Sequence, residues 1–110
     1  MKVLKANKQQ FDKREAYKLT KGETKSIQEA TGLILDVETW LEYEDQNQKG
    51  DTVRVLAIMD KEGQVYSTIS ETFKQRFYEI VDIFGDDLPG ILVTTGTSKA
   101  GRSYMSCTIE

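Results

Sequence analysis

One stretch decides the predicted fold: Thr52-Val-Arg-Val-Leu-Ala-Ile-Met59, Asp60-Lys-Glu-Gly63 and Gln64-Val-Tyr-Ser67, followed directly by a helical run. The first segment is rich in β-branched and apolar residues, which is typical of a partly buried strand. The polar run that ends in Gly63 indicates a tight hairpin turn, so the third segment returns in extended form. We therefore predict a β-hairpin immediately before the one strong helical pattern of the chain.

The segment from Thr68 to Phe84 predicts the only long helix. Thr68 and Glu71 have the spacing of a capping box, in which both side chains satisfy free amides of the first turn. Apolar residues then recur at helical spacing and form one face: Ile69, Phe73, Phe77, Ile80, Val81 and Phe84. Gly85 is suited to end the helix in a left-handed conformation. We expect the apolar face to be buried and Tyr78, which lies outside it, to be exposed.

Four further segments alternate or are rich in apolar residues and predict strands. They are Lys13–Thr20, Leu33–Tyr43, Gly90–Thr95 and Arg102–Ile109. The resulting order is three strands, the helix and two strands, which is the order of a five-stranded antiparallel oligonucleotide/oligosaccharide-binding (OB) barrel with a helix between strands 3 and 4. We predict an all-β fold with one helix, as a single OB-like domain over residues 13–110. A small α+β sheet with one covering helix is the alternative architecture. Residues 1–12 are expected to form a basic, flexible N-terminal arm.

Composition argues against several functional classes. The chain has 110 residues and no histidine, so the commonest general base and transition-metal ligand are missing. The single cysteine, Cys107, cannot form an internal disulfide, which fits a reducing cytoplasm. No apolar run reaches the length of about 20 residues that spans a bilayer, and the N-terminus lacks the apolar region of a signal peptide. We therefore expect a cytoplasmic protein that does not enter a membrane.

Charge is distributed unevenly along the chain. Residues 1–25 carry eight lysines and arginines against three acidic residues, whereas residues 26–51 carry one lysine against seven acidic residues. A basic surface formed by the first third could bind a polyanion, while the acidic segment would limit non-specific contacts. Ordinary solvated surface charges would explain the same counts.

Trp40 interrupts the pattern of the predicted strand Leu33–Tyr43. Leu35, Val37 and Leu41 fall on one face of that strand, whereas Trp40 falls with carboxylates on the other face. Such a tryptophan is either covered by a neighbouring element or forms a stacking platform on an open sheet face. The pattern alone leaves both interpretations open.

Several short motifs resemble a known family. They are Asp60-Lys-Glu-Gly63, Val65-Tyr-Ser67 with Ile69-Ser70, and Gly96-Thr-Ser98 with Gly101. Through them the chain from Thr52 to Thr108 resembles the single-stranded DNA-binding proteins of small protein-primed Bacillus phages and related Gram-positive mobile elements. The aromatic-rich strand before Asp45 is also similar. The resemblance implies a non-enzymatic protein that coats and protects strands displaced during replication, without sequence preference.

Binding a single strand without sequence preference requires cations for the phosphates and aromatic rings on which bases stack. The candidate rings are Trp40, Tyr66 and Tyr104, and the candidate phosphate contacts are Lys18, Lys21, Lys25, Arg54, Lys99 and Arg102. No catalytic residue, metal or cofactor is expected. Single-stranded DNA is the expected partner, with replication proteins such as a DNA polymerase as further partners, and the chain is expected to act as a monomer or a homo-oligomer.

Two functions of other classes compete with this interpretation. A metal-dependent enzyme could use Asp36, Glu38 and Glu42 as oxygen ligands on one strand face, but acidic strand faces are usually only solvated. A small protein–protein interaction module of a phage or mobile-element replication system could use Trp40 as its anchor.

Overall fold

A computed structural model describes residues 2–110, and these residues form eight strands, two α-helices and one 3-10 turn. In chain order the elements are β1 (Lys2–Ala6), α1 (Lys13–Thr20), β2 (Lys25–Ser26), the 3-10 turn (Ile27–Ala30), β3 (Ile34–Leu35), β4 (Val37–Gln46), β5 (Thr52–Asp60), β6 (Val65–Thr68), α2 (Glu71–Phe84), β7 (Ile91–Thr97) and β8 (Ser103–Ile109). The mostly-β character is confirmed, and so are the hairpins β4–β5, β5–β6 and β7–β8. Within these residues no helix has the length and hydropathy that a membrane crossing requires.

The strands form two sheets and do not close into the predicted five-stranded barrel. The larger sheet has the order β1-β4-β5-β6-β2, and the smaller sheet has the order β3-β7-β8. The predicted strand Leu33–Tyr43 is divided between them, because Ile34–Leu35 pairs with β7 whereas Val37–Gln46 pairs with β5. One continuous strand in the sequence pattern thus becomes the link between two sheets.

Both faces of the central strands β4 and β5 are buried. Leu56 and Ile58 point toward α2 and join the main core, which also receives side chains from the smaller sheet. The intervening Ala57 and Met59 point to the opposite side and pack with Leu19 of α1. Because successive strand residues alternate between faces, a strand covered on both sides shows no clean apolar–polar alternation.

The prediction of a strand at Lys13–Thr20 is wrong, because this segment is the helix α1. The Asp12 carboxylate caps its first turn by accepting a hydrogen bond of 2.8 Å from the Glu15 amide. Tyr17 and Leu19 do not share a face: Leu19 is fully buried and Tyr17 is exposed. A helix of two turns with one buried residue is too short for its apolar period to be distinguished from strand alternation.

The long helix is confirmed, but it begins at Glu71 rather than at Thr68. Ser70 is the N-cap and accepts a hydrogen bond of 3.3 Å from the Phe73 amide, so the predicted capping box of Thr68 and Glu71 is wrong. Phe73 is completely buried, as is Phe77, whereas the apolar residues at the two ends, Ile69 and Phe84, are exposed. Gly85 ends the helix with a φ of 61°.

The N-terminal segment differs from the expected flexible arm. Lys2–Ala6 form the edge strand β1, which pairs antiparallel with β4 and places Val3 opposite Tyr43. Met1, which the expectation also covered, lies outside the described residues. Lysines in an edge strand discourage pairing with a further strand.

Candidate nucleic-acid interface

Three surface depressions lie in order from α1, past β2 and β6, to β8, and together they are called the groove below. Their volumes are about 510, 470 and 440 Å³. The first is lined by Lys18 and Lys25, the second by Ser26 and Ser70, and the third by Ser70 and Tyr104. The second and third depressions share Ser70, whereas the first is related to the second through Lys25 and Ser26, the two successive residues of β2.

Two of the predicted cations lie at the α1 end of this groove. Lys18 is exposed on α1, and Lys25 is held on β2, which pairs in parallel with β6 opposite Tyr66. Among the described residues, no carboxylate is within ion-pair distance of either lysine, although Glu23 lines the same depression. Both ammonium groups are therefore available to an anion.

Lys21 lies between Lys18 and Lys25 in sequence, but it has an acidic neighbour in the structure. Its ammonium nitrogen is 3.9 Å from a carboxylate oxygen of Asp45, and both side chains are exposed. An exposed pair of this kind contributes little free energy, so a phosphate could compete for the lysine.

The loop between β7 and β8 lies next in sequence to Ser103 and Tyr104, which line the third depression. Two hydrogen bonds close this loop: the Ser98 amide donates to the Arg102 carbonyl, and the Arg102 amide donates to the Ser98 hydroxyl. Lys99 and Arg102 are both exposed, and no described carboxylate forms an ion pair with them. Gly101 has a φ of +81°, the conformation that the hairpin turn requires.

Tyr104 follows this loop on β8 and is 40% exposed. Met105 and Cys107, on the opposite face of β8, are buried. Burial raises the pKa of the Cys107 thiol to about 12, so this cysteine is not a reactive thiolate at neutral pH.

Of the two interpretations of Trp40, the structure shows the ring covered by a neighbouring element rather than presented on an open sheet face. Trp40 is 5% exposed, and its ring meets Phe77 edge-on with 5.5 Å between the ring centroids. Tyr66 is also buried in the same core. Helix α2 covers the face of β4 that would otherwise be open, so neither ring is available for stacking in this structure.

A buried charged cluster beneath α2 was not predicted. Lys74 is 2% exposed, and its ammonium nitrogen is 3.3 Å from a Glu42 carboxylate oxygen and 3.0 Å from the Arg54 carbonyl oxygen. The Tyr78 hydroxyl donates a hydrogen bond of 2.9 Å to the other Glu42 oxygen. Burial, aided by this hydrogen bond, raises the pKa of Tyr78. The sequence contained one signal for this cluster. Lys74 and Tyr78 are one helical turn apart and each directly follows a buried phenylalanine, so both lie on the same side of α2.

Arg54 lies outside the groove. It is exposed on β5, opposite Glu44, and it lines a separate depression together with Lys5 and Lys74. The structure therefore brings Lys18 and Lys25 to one end of the groove and the Tyr104 region to the other end, but it separates Arg54 from both.

The comparisons with known proteins agree with the predicted class. The family model described as "Phage Single-stranded DNA-binding protein" matches residues 2–110. No curated protein and no solved structure matches the chain.

Proposed function

The chain belongs to the family of phage single-stranded DNA-binding proteins, and from this premise we propose that its groove between α1 and β8 holds the strand. The family assigns the chain a role in binding single-stranded DNA during phage replication. We further propose that it coats and protects displaced strands in the cytoplasm of the host, without sequence preference and without catalysing a reaction. Replication proteins such as a DNA polymerase are proposed as its further partners.

The order of the three depressions and the exposed cations near them carry this proposal. Lys18 and Lys25 line the depression beside α1, and the exposed Lys99 and Arg102 lie in the loop that precedes Ser103 and Tyr104 of the third depression. The floor between them is formed mainly by uncharged polar residues such as Ser26, Gln28 and Ser70. Such a surface can hold phosphates at its ends and sugars and bases between them, which suits a ligand of variable sequence.

Tyr104 is the proposed stacking ring. It is the only one of the three candidate rings with a substantially exposed surface, since Trp40 and Tyr66 lie in the core. The architecture that supports it, two sheets and two helices around two buried clusters, is compatible with an OB-like fold, and we propose that relationship for the chain. Burial of Trp40 also removes the anchor that a protein-interaction module would have used.

Fluorescence anisotropy of a labelled oligothymidylate tests the proposal. We expect binding that weakens steeply with added salt, because each bound phosphate releases counterions. Duplex DNA of the same length should bind more weakly, since its bases are not available for stacking. Lys25→Ala should weaken binding, whereas Lys49→Ala, in the loop between β4 and β5, should not. Equal affinity for duplex DNA, or no effect of Lys25→Ala, would contradict the proposed groove.

A further inference from the structure

Tyr104 lies against a glycine on the neighbouring strand. Gly96 of β7 is its cross-strand partner, and a Cβ atom built on Gly96 would lie 2.4 Å from Cζ and 2.5 Å from Oη of Tyr104. Side chains essentially never approach this closely, so the ring occupies the space that any other residue at position 96 would fill. The two positions therefore form one unit in which the absence of a side chain lets the ring lie on the strand.

We propose that this pair forms a base-stacking platform, in which Gly96 holds the Tyr104 ring flat on the sheet and one nucleobase stacks on the free side of the ring. The inference deepens the proposed DNA-binding function and rests on it. A ring supported by backbone loses little conformational freedom when a base binds, which favours binding. Any base can stack on it, because every base has a π-face.

The surroundings of the pair suit a nucleic-acid strand. On the same outward face, the next pair along the hairpin is Thr94 and Ser106, which offer hydroxyl groups. The outward positions of the two strands contain no carboxylate that would repel a phosphate. Arg102, two residues before Tyr104, supplies a cation at the loop end of the platform.

Gly96→Ala and Tyr104→Ala test the platform, with Thr97→Ala as the matched control on the opposite face of β7. We compare their affinities for an oligothymidylate and for an abasic strand of equal length. Each of the first two variants should weaken oligothymidylate binding roughly five- to a hundredfold, and the double variant should bind no more weakly than the single ones. The abasic strand should bind all variants as it binds the wild type, since it offers nothing to stack.

Two results would overturn the inference. One is a folded Gly96→Ala or Tyr104→Ala protein that binds oligothymidylate as tightly as the wild type. The other is an equal loss of affinity for the abasic strand, which would indicate a general structural effect. If Gly96→Ala fails to fold, Tyr104→Phe and Tyr104→Leu decide the question, because only the phenylalanine should retain binding. Wild-type protein that binds neither strand would instead contradict the proposed function itself.

Discussion

The ammonium nitrogen of Lys74 lies 3.3 Å from a carboxylate oxygen of Glu42, and both side chains are buried beneath helix α2. The pair joins α2 to strand β4 across the main core. Lys74 also donates to the Arg54 carbonyl and lies 2.9 Å from a carboxylate oxygen of Glu71, while Glu42 accepts a further hydrogen bond from the Tyr78 hydroxyl. From sequence alone, any lysine of a DNA-binding protein is a candidate contact for a phosphate. The buried position of Lys74 gives it a structural role instead.

Lys74→Ala should lower the free energy of unfolding by about 3–5 kcal/mol, because it leaves the buried Glu42 carboxylate without its counter-charge. Arg76→Ala is the matched control, since Arg76 forms an exposed pair with Glu79 on the same helix. That change should cost at most about 1 kcal/mol. Chemical denaturation measures both values. Similar losses for the two variants would show that burial does not increase the contribution of the Lys74–Glu42 pair to the free energy of unfolding.

Trp40 should stabilise the fold without stacking on DNA bases. Trp40→Phe keeps an aromatic ring against Phe77, so we expect a folded protein with unchanged affinity for oligothymidylate. Trp40→Ala should cost about 3–5 kcal/mol of stability, because it opens a cavity under α2. Anisotropy titration and thermal unfolding check the two expectations. A folded Trp40→Phe variant with strongly reduced affinity for oligothymidylate would indicate that Trp40 contacts the DNA.

Salt dependence should distinguish the cations of the groove from other surface lysines. Removing one phosphate contact reduces the slope of log affinity against log salt by about 0.7 for a single strand. We expect this change for Lys25→Ala and for Arg102→Ala, because neither side chain forms an ion pair with a carboxylate among residues 2–110. Lys49→Ala should leave the slope unchanged. The titrations are performed at several salt concentrations. If both variants keep the wild-type slope of log affinity against log salt, Lys25 and Arg102 do not contact phosphates.

Stability should fall in alkaline solution partly through Cys107. Burial raises the pKa of the Cys107 thiol to about 12 in the folded protein, from its ordinary value of 9.0. Between these two pH values the unfolded chain releases the proton while the folded protein retains it, so the folded state loses stability as pH rises. Below pH 9 this thiol should have no effect on the pH dependence.

Cys107→Ala should make that alkaline decline shallower, by up to about 1.4 kcal/mol per pH unit for one proton. Denaturant unfolding from pH 8 to pH 11 measures the difference. Tyr43 and Tyr78 also have raised pKa values, so a residual decline should persist in the variant. Identical slopes in both proteins would mean that Cys107 ionises as readily in the folded state as in the unfolded one.

The sequence by itself determined the family and the elements with strong local patterns. The buried stripe of Phe73 and Phe77 identifies α2 because its period extends over several turns. The hairpin β7–β8 follows from alternation and from two glycines around a polar loop. The lysines and arginines of the groove could be named as candidates from their residue type alone.

The tertiary structure decided which candidates share a surface. It covered Trp40 with α2, turned Lys74 into a buried partner of Glu42, and placed Tyr104 against Gly96. None of these contacts joins residues that are neighbours in sequence. Local patterns report which side of an element a residue occupies, but burial depends on what packs against that side. In a sheet covered on both faces, this information comes only from distant parts of the chain.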